Sequence, residues 1–552
     1  MKTITIQAPY GGFITDYTDG NTRSLEGGAN QYARSNGADV FRQGKVGHIA
    51  PAQVFNSGYV IDANSRFNSL ARAVIVDVAS ANNDVIWLTG GFASTAPRRV
   101  RTRNDSDDAH DDVAAHAGHN FTVVPSTNYW GEDIVTYRSK VGGTLTNNAF
   151  YSWNDSVDGD IGRMKLGVAS VSDGTTSFIS TVPAGSGVLI AGVPHLMAEG
   201  ADKILYITNG QYLASYDGNT GNDGTFNNDA LDLGNGWVLV DTRKYRKFIA
   251  ALANKIPEGT YANYTFSSES KVVFWNGTDP SYQFEFGPAE GMDDFFASAL
   301  FVAQGELYAW SRGRNNTTKL KQFDGRDKFV TVAEYPSSII GTPPLPRSIE
   351  YHEDFIKWLP SDGTSNFLIS YGPLSSQTRG IHIPSVVRSG TAVSVANGTS
   401  MGLLKNINQN KLYIGSNFST ANDLGYRPAF LDGTGGYMTS RDFRTKLYTA
   451  WDDGSPLENA SIKKIKVWFS QKGSVLLSLF KDYDAISVST DGIDRLDWQL
   501  SSTTSNLYES IGNLLTEINA FYMNLRFNHS NVTDTAAIIR KVVLYGDNTD
   551  KV

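Results

Sequence analysis

The chain has 552 residues, more than one ordinary core accommodates, so it holds several domains or a repeat that grows by adding units. Its 53 Gly, 12% aromatics and only 19% charged residues point to many short strands joined by tight turns, and exclude both a coiled coil and a disordered chain. A net charge of −8 disfavours a nucleic-acid reader, and the absence of Cys excludes disulfides, thiolate metal sites and cysteine nucleophiles while fitting assembly in a reducing cytoplasm.

The chain opens with "MKTITIQAPYGG", whose alternation of polar and apolar side chains predicts a strand and not a secretory h-region. No run approaches the ~18 apolar residues of a membrane-spanning helix, so no membrane span is expected. Residues 1–60 are Gly-rich without a clear period, and are expected to form an N-terminal arm that lies across the following domain or supplies its closing strand. Next come "ARAVIVDVASANNDVIWLTGG" and, later, "DIVTYRSKVGGTLTNNAFYSWNDSVDGDIGRMKLG", each a set of apolar strands around turns. Between them, over about 97–120, lies "PRRVRTRNDSDDAHDDVAAHAGHN", an Arg run followed by Asp and His, which reads as a long exposed insertion.

From His195 the hairpin grammar becomes regular. "LYITNGQYLASYDG" (205–218) sets an Asn-Gly turn between two short strands and closes on Asp-Gly. Related units come after it in "KFIAALANK", "SALFVAQGELYAW", "SIEYHEDFIKW" and "GLLKNINQNKLYIGS". Taking Leu196, Phe248, Leu300, Ile349 and Leu403 as equivalent first-strand positions gives intervals of 52, 52, 49 and 54 residues by subtraction. A period of ~40–50 residues with three or four strands each is the signature of propeller blades. The expected fold is therefore all-β, a six- or seven-bladed β-propeller over 61–436. From Tyr437 longer alternating strands such as "SIKKIKVWFSQKGSVLLSLFKD" predict a β-sandwich over 437–552, with a short helix or wrapped loop within "SNLYESIGNLLTEINAFYMNLRF" because Leu507, Ile511, Leu514, Leu515 and Ile518 stand near helical spacing.

The Asp-Gly and Asn-Gly turns are read as fold residues, with mostly solvated carboxylates. In the insertion His110, His116 and His119 with Asp107, Asp108, Asp111 and Asp112 offer metal ligands in principle, but their spacing matches no metal module; a solvated loop, or ion pairing between subunits, is the simpler reading. "GTSMG" (398–402) matches the string around a hydrolase serine, yet the strand hairpin after Ser400 and a single downstream His529 argue against it. Glu285, Glu290, Asp293 and Asp294, or Glu350, Glu353 and Asp354, could supply a glycosidase carboxylate pair, but carboxylates beside turns are the plainer reading. Trp275, Trp310 and Trp358 stand at strand positions and are expected to pack between blades. No catalytic, cofactor-binding or metal residue is assigned, and no cofactor is expected.

The arrangement as a whole, with "APYGGFITDYTDG", then "FRQGKVGHIAP", then blades closing in "YDG", "FDG" or "LDG", then a sandwich, resembles β-propeller structural proteins in the virions of tailed bacteriophages, which build tail hubs, nozzles or head-to-tail connector rings. The resemblance implies a non-enzymatic virion tail component assembled in the host cytoplasm. It implies a homo-oligomeric ring, a hexamer, contacting other tail proteins; the negative net charge would also suit a lumen through which genomic DNA passes without specific binding. A receptor-binding or glycan-acting propeller is the alternative.

Overall fold

The computed structural model describes forty strands between Lys2 and Asn548, together with the chain between strands over 189–217, 226–256, 269–287, 294–313, 316–337, 342–352 and 354–360. Seven of its sheets share one plan, four strands in antiparallel meander. Their first strands are Leu70–Val76, Trp130–Val141, Met197–Glu199, Trp237–Tyr245, Asp294–Ala303, Ile349–His352 and Leu403–Lys405. The first strand of the first sheet lies against that of the second, and so on through the fifth; those of the sixth, seventh and first are likewise in contact. The fifth and sixth sheets meet through Trp310 and Trp358, whose rings stand 5.5 Å apart in a T-shaped pair. This is a seven-bladed β-propeller.

The last blade is completed from the other end of the sequence. Its strands Leu403–Lys405, Leu412–Asn417 and Asn422–Arg427 take Gln53–Val54 as their fourth, with Gly425 opposite Val54. Gln53–Val54 thereby covers the outer edge of Asn422–Arg427.

Why these residues form blades is clearest in "FIAALANK", the second strand of blade 4 (Phe248–Lys255). Successive side chains on a strand point to opposite faces. Ala250 and Leu252 enter a core shared with Leu300, Leu307 and Phe329 of blade 5, while Ile249, Ala251 and Ala253 enter a second core shared with Tyr206, Leu213 and Leu231 of blade 3. A continuous apolar run is therefore a strand buried on both faces, and small Ala side chains let the neighbouring sheets approach. A third core joins Phe150 and Ile161 of blade 2 to Met197, Ile207 and Tyr216 of blade 3.

Several expectations shift by one strand. Phe248 opens the second strand of its blade, not the first, because the preceding "WVLVDTRKY" (Trp237–Tyr245) is the first strand. "YDG" and "FDG" end third strands, and a fourth comes after each at Phe226–Asp232 and Phe329–Pro336. The segment read as an insertion supplies the outer strands of blade 1, Arg98–Thr102 and His110–Asp111. An outermost strand has one solvated edge, so a polar sequence can occupy it.

The chain forms two compact units: one of residues 53–366 and 390–427, the other of 1–52, 367–389 and 428–552. Besides the short pair Ala38–Asp39 and Gly47–His48 and the last two strands of blade 6, Phe367–Pro373 and Arg379–Val386, the second contains two larger antiparallel sheets, as expected of a sandwich. One runs Lys2–Gln7, Ile538–Asn548, Ala460–Gln471, Tyr508–Ala520; the other runs Tyr32–Asn36, Tyr437–Ser440, Tyr522–Asn528, Gly473–Lys481, Arg495–Ser502. The helix considered near Ile511 is a strand. Ile518 faces Ile462 and Asn513 faces Lys464, so residues 514–517 bulge out of the ladder and give the apolar positions a spacing that imitates a helix. Among the described residues no helix is long and apolar enough to cross a membrane.

Candidate functional site: an ionic bridge on the propeller axis

Inside the propeller Asp133, Asp241, Arg243 and Arg347 are brought together in one cluster, apart from the buried Lys357, whose Nζ stands 2.9 Å from His352 Nδ1. Asp133 sits in the first strand of blade 2 just after a register shift between Gly131 and Asp133, and Asp241 sits in the first strand of blade 4 just after the same kind of shift between Leu239 and Asp241. A bulge puts two residues opposite one and re-aims the side chains beyond it. Each carboxylate thereby reaches the next blade: Asp133 Oδ2 accepts the Met197 N–H at 2.8 Å and Asp241 Oδ2 accepts the Leu300 N–H at 2.8 Å. Blade 5 carries the same bulge between Ala297 and Ala299 without an acid. Asn254 makes a further cross-blade link, bonding both the N–H and the C=O of Ala297.

Arg347 precedes the first strand of blade 6. Its φ of +73° lies in the left-handed region, which costs a side-chain-bearing residue on the order of 1–2 kcal/mol. That backbone is held because the side chain is so well bonded. Its Nε and Nη2 donate to the two oxygens of Asp133 at 2.7 and 2.6 Å, Nη2 also donates to the Met197 carbonyl at 2.6 Å, and Nη1 stands 3.9 Å from Asp241 Oδ1. Blades 2, 4 and 6 are not neighbours in the ring, so a guanidinium that reaches all three lies over the axis. Arg243 joins from blade 4, its Nε donating to the Leu300 carbonyl at 3.0 Å and standing 3.5 Å from Asp241 Oδ2.

The side chains of Asp133 and Asp241 have no solvent exposure and that of Arg347 is 9% exposed. Burial pushes the Asp241 carboxyl up, opposed by the charges of Arg243 and Arg347 and by the N–H groups of Leu300 and Thr242. Burial, with the like charge of Arg347, brings Arg243 down to about 10. Burial also works against the Arg347 charge, but Asp133, by charge and hydrogen bond, and Asp241 outweigh it and hold its pKa up. Two acids and two bases make the cluster formally neutral, which is the condition for keeping such groups out of water. Its chemical capacity is to tie blades together: the carboxylates are spent on backbone N–H groups and a bidentate guanidinium, leaving no reachable acid or base.

The residues singled out in the sequence are scattered. Glu285 lies on the outermost strand of blade 4, exposed, accepting from the Tyr282 hydroxyl at 2.6 Å and from Lys271 at 3.1 Å; its pKa is lowered, first by the Tyr282 bond. Glu350 lies on the first strand of blade 6 and accepts the Tyr351 N–H, and Asp354 accepts the Tyr351 hydroxyl at 3.1 Å in the following turn. Glu285 and Glu350 are thus on different blades and at opposite ends of their sheets, so they form no carboxylate pair. Asp294 begins the first strand of blade 5. Ser400, Glu290, Asp293 and Glu353 lie outside the described residues, as do His116, His119, Asp107, Asp108 and Asp112, while His110 and Asp111 form the fourth strand of blade 1. Among the described residues no group of three or more His, Cys, Asp or Glu could hold a metal ion.

The three tryptophans do pack between blades. Trp310 and Trp358 are fully buried, with Trp358 Nε1 donating to the Tyr335 hydroxyl at 3.0 Å, and Trp275 is buried against Tyr206 of blade 3. Turn residues also act as fold residues. The Asp324 carboxylate accepts the N–H groups of Arg326, Asp327 and Lys328, and stays exposed. Asn209 is buried instead of solvated, its amide bonding the Ile190 N–H and the Asn228 carbonyl.

No family model and no curated protein matches the chain. Solved structures similar to it include an exo-β-1,3-galactanase from Phanerochaete chrysosporium, 12% identical, covering 64% of this chain and 95% of that one at a TM-score of 0.22. A PQQ-bound aldose sugar dehydrogenase from Streptomyces coelicolor is 12% identical and covers 68% and 99% at 0.30. A family 43 arabinoxylan arabinofuranohydrolase from Bacillus subtilis is 9% identical and covers 90% and 99% at 0.27. Likeness at this level carries nothing about chemistry.

Proposed function

We propose that this chain is a non-enzymatic structural component of a tailed-phage virion, a tail hub, nozzle or connector subunit that assembles in the host cytoplasm into a homo-oligomeric, sixfold ring and contacts other tail proteins. The observation that supports it is the state of the axial carboxylates. Among the described residues, Asp133 and Asp241 are the acids that this propeller aims at its axis, and both are buried and bonded to Arg347 and to neighbouring backbone. A general acid or nucleophile must be reachable by its substrate, and these are not. A propeller locked in this way suits a stiff part whose contacts are made by turns and outer strands.

In that role the negative net charge of the chain favours a lumen through which DNA slides without displacing counterions. The test is negative-stain imaging of the purified full chain together with immunogold labelling of virions. Sixfold rings and label at the tail are expected. A monodisperse monomer that depolymerises polysaccharide would replace this reading with the glycan-acting one.

A further inference from the structure

The outermost strand of blade 4, Phe284–Phe286, reads "FEF". It pairs with Ser270–Trp275 on one side, and among the described residues no strand takes its other edge. Successive side chains alternate between the two faces of a strand. Glu285 accordingly turns toward Lys271 and Tyr282, while Phe284 and Phe286 turn the other way, their rings stacked 6.4 Å apart. Phe286 packs onto the core between blades 4 and 5, 5.3 Å from Phe323. Phe284 carries that row of rings outward to Phe248, 5.9 Å away, and is 51% exposed. The corresponding strand of blade 3, Phe226–Asp232, instead exposes Asn227, Asn228, Asp229 and Asp232.

Cations border the exposed ring. The first strand of blade 4 turns into the second through Arg246 and Lys247, and the turn between the third and fourth strands of blade 5 carries Arg326 and Lys328. First and third strands of a meander run the same way, so both turns open on one face of the propeller. They also come together: Arg246 Nη2 lies 3.9 Å from where a Cβ on Gly325 would stand. Lys247 Nζ lies 5.1 Å from the Phe248 ring centre and the Arg246 guanidinium 5.0 Å from that of Tyr245, contacts that hold both cations beside the aromatic row. All four cations are exposed, and among the described residues they form no ion pair. Other exposed lysines of the propeller stand beside acids, Lys203 with Glu199 and Lys255 with Glu269. The acids near this face are Asp327, Glu306, which acts on Tyr245, and Asp324, whose carboxylate serves three N–H groups of its own turn and feels the charge of Lys328.

An apolar centre with a charged rim is the anatomy of a protein-binding patch, in which aromatic anchors carry most of the energy and the charges select the partner. We infer that this face of blades 4 and 5 docks an extended acidic segment of another protein, which seats an apolar side chain on Phe248 and Phe284 and sets carboxylates against Arg246, Lys247, Arg326 and Lys328. The segment is extended because the open edge of Phe284–Phe286 offers backbone donors and acceptors to one more strand. A single strand of nucleic acid fits less well, since successive bases need successive open ring faces, and Phe284 is the one exposed ring here among the described residues. The inference stands apart from the ring reading, because it needs neither a second copy nor a lumen.

The test is fluorescence anisotropy of the full chain with three labelled probes: a peptide of three Asp-Phe-Glu-Val repeats, the same peptide with lysine at every acidic position, and an oligothymidylate of equal charge. The acidic peptide is expected to bind at least about tenfold more tightly than either of the others, and to weaken as salt screens the rim. Phe284→Ser and Arg246→Glu/Lys247→Glu, each checked for folding by circular dichroism, should each lower that affinity at least about fivefold, while Lys255→Glu, at the far end of the strand Phe248–Lys255, should leave it unchanged. Amide hydrogen exchange of the wild-type chain gives a readout that needs no variant: the acidic peptide should slow exchange over 245–248 and 284–287 and not over 226–232. Acidic-peptide binding no tighter than that of either other probe, variants that bind as the wild type does, or slowed exchange elsewhere would overturn the inference. Self-association of the chain that disappears in Phe284→Ser would give the face to a second copy and overturn it as well.

Discussion

One strand of blade 4 and the turn that follows it put the same side-chain chemistry to opposite uses. At Asp241 and Arg243, charge is buried, countered and bonded to the backbone of blade 5; one residue further on, from Lys244 to Lys247, charge is exposed and unmatched among the described residues. The inner pair is surrounded by groups fixed by the fold, so removing one partner strands the other. The outer cations are surrounded by water, so removing them leaves nothing stranded inside the chain. Charge therefore holds the body together at the axis and is left in water at the face.

The largest way to break this contrast is Arg347→Met, which leaves Asp133 buried with its bidentate partner gone; about 3–5 kcal/mol of stability should be lost, read by denaturant unfolding. The double variant Arg347→Met/Asp133→Asn should recover part of that loss, and a cycle showing no coupling would remove the bridge from the account. Next is Leu252→Ala, which opens a cavity in the core between blades 4 and 5, with an expected loss of about 2–5 kcal/mol by the same measurement. Gly159→Ala should cost about 1–3 kcal/mol, since its Cβ would stand 2.2 Å from Cε1 of the buried His195. Charge reversal at Lys244, Arg246 and Lys247 should change chain stability by no more than about 0.5 kcal/mol, which separates the face from the axis.

Smallest is Glu285→Gln. Its carboxyl is lowered in the folded chain, so its stabilisation is present above the unfolded-state pKa and is lost as pH falls through the folded-state value. The group is half exposed, so the effect is a few tenths of a kcal/mol. The melting difference between wild type and variant should shrink on acidification; a difference that grows would refute the assignment.

The blades were legible because their hairpins are local. In "LYITNGQYLASYDG" the turn residues and the two apolar strands lie within a few positions of one another, and Gly210 takes the φ of +64° that its turn requires. Outer strands such as Phe226–Asp232 were not legible, since a half-solvated edge selects no apolar pattern. The axial bridge was hidden for another reason. Asp133 and Arg347 are 214 residues apart, and nothing within "GEDIV" or "LPRSI" records that they meet. One local sign was present: Asp241 in "WVLVDTR" is an acid inside an otherwise apolar strand, and such an acid needs a partner in the fold.

The pairing of Val54 with Gly425 carries a consequence for biosynthesis. The two residues are 371 positions apart by subtraction, so the early one leaves the ribosome tens of seconds before its mate at ordinary elongation rates of about 5–20 residues per second. Throughout that interval the nascent disc is a crescent with two raw edges, and only the arrival of Asn422–Arg427 lets it latch.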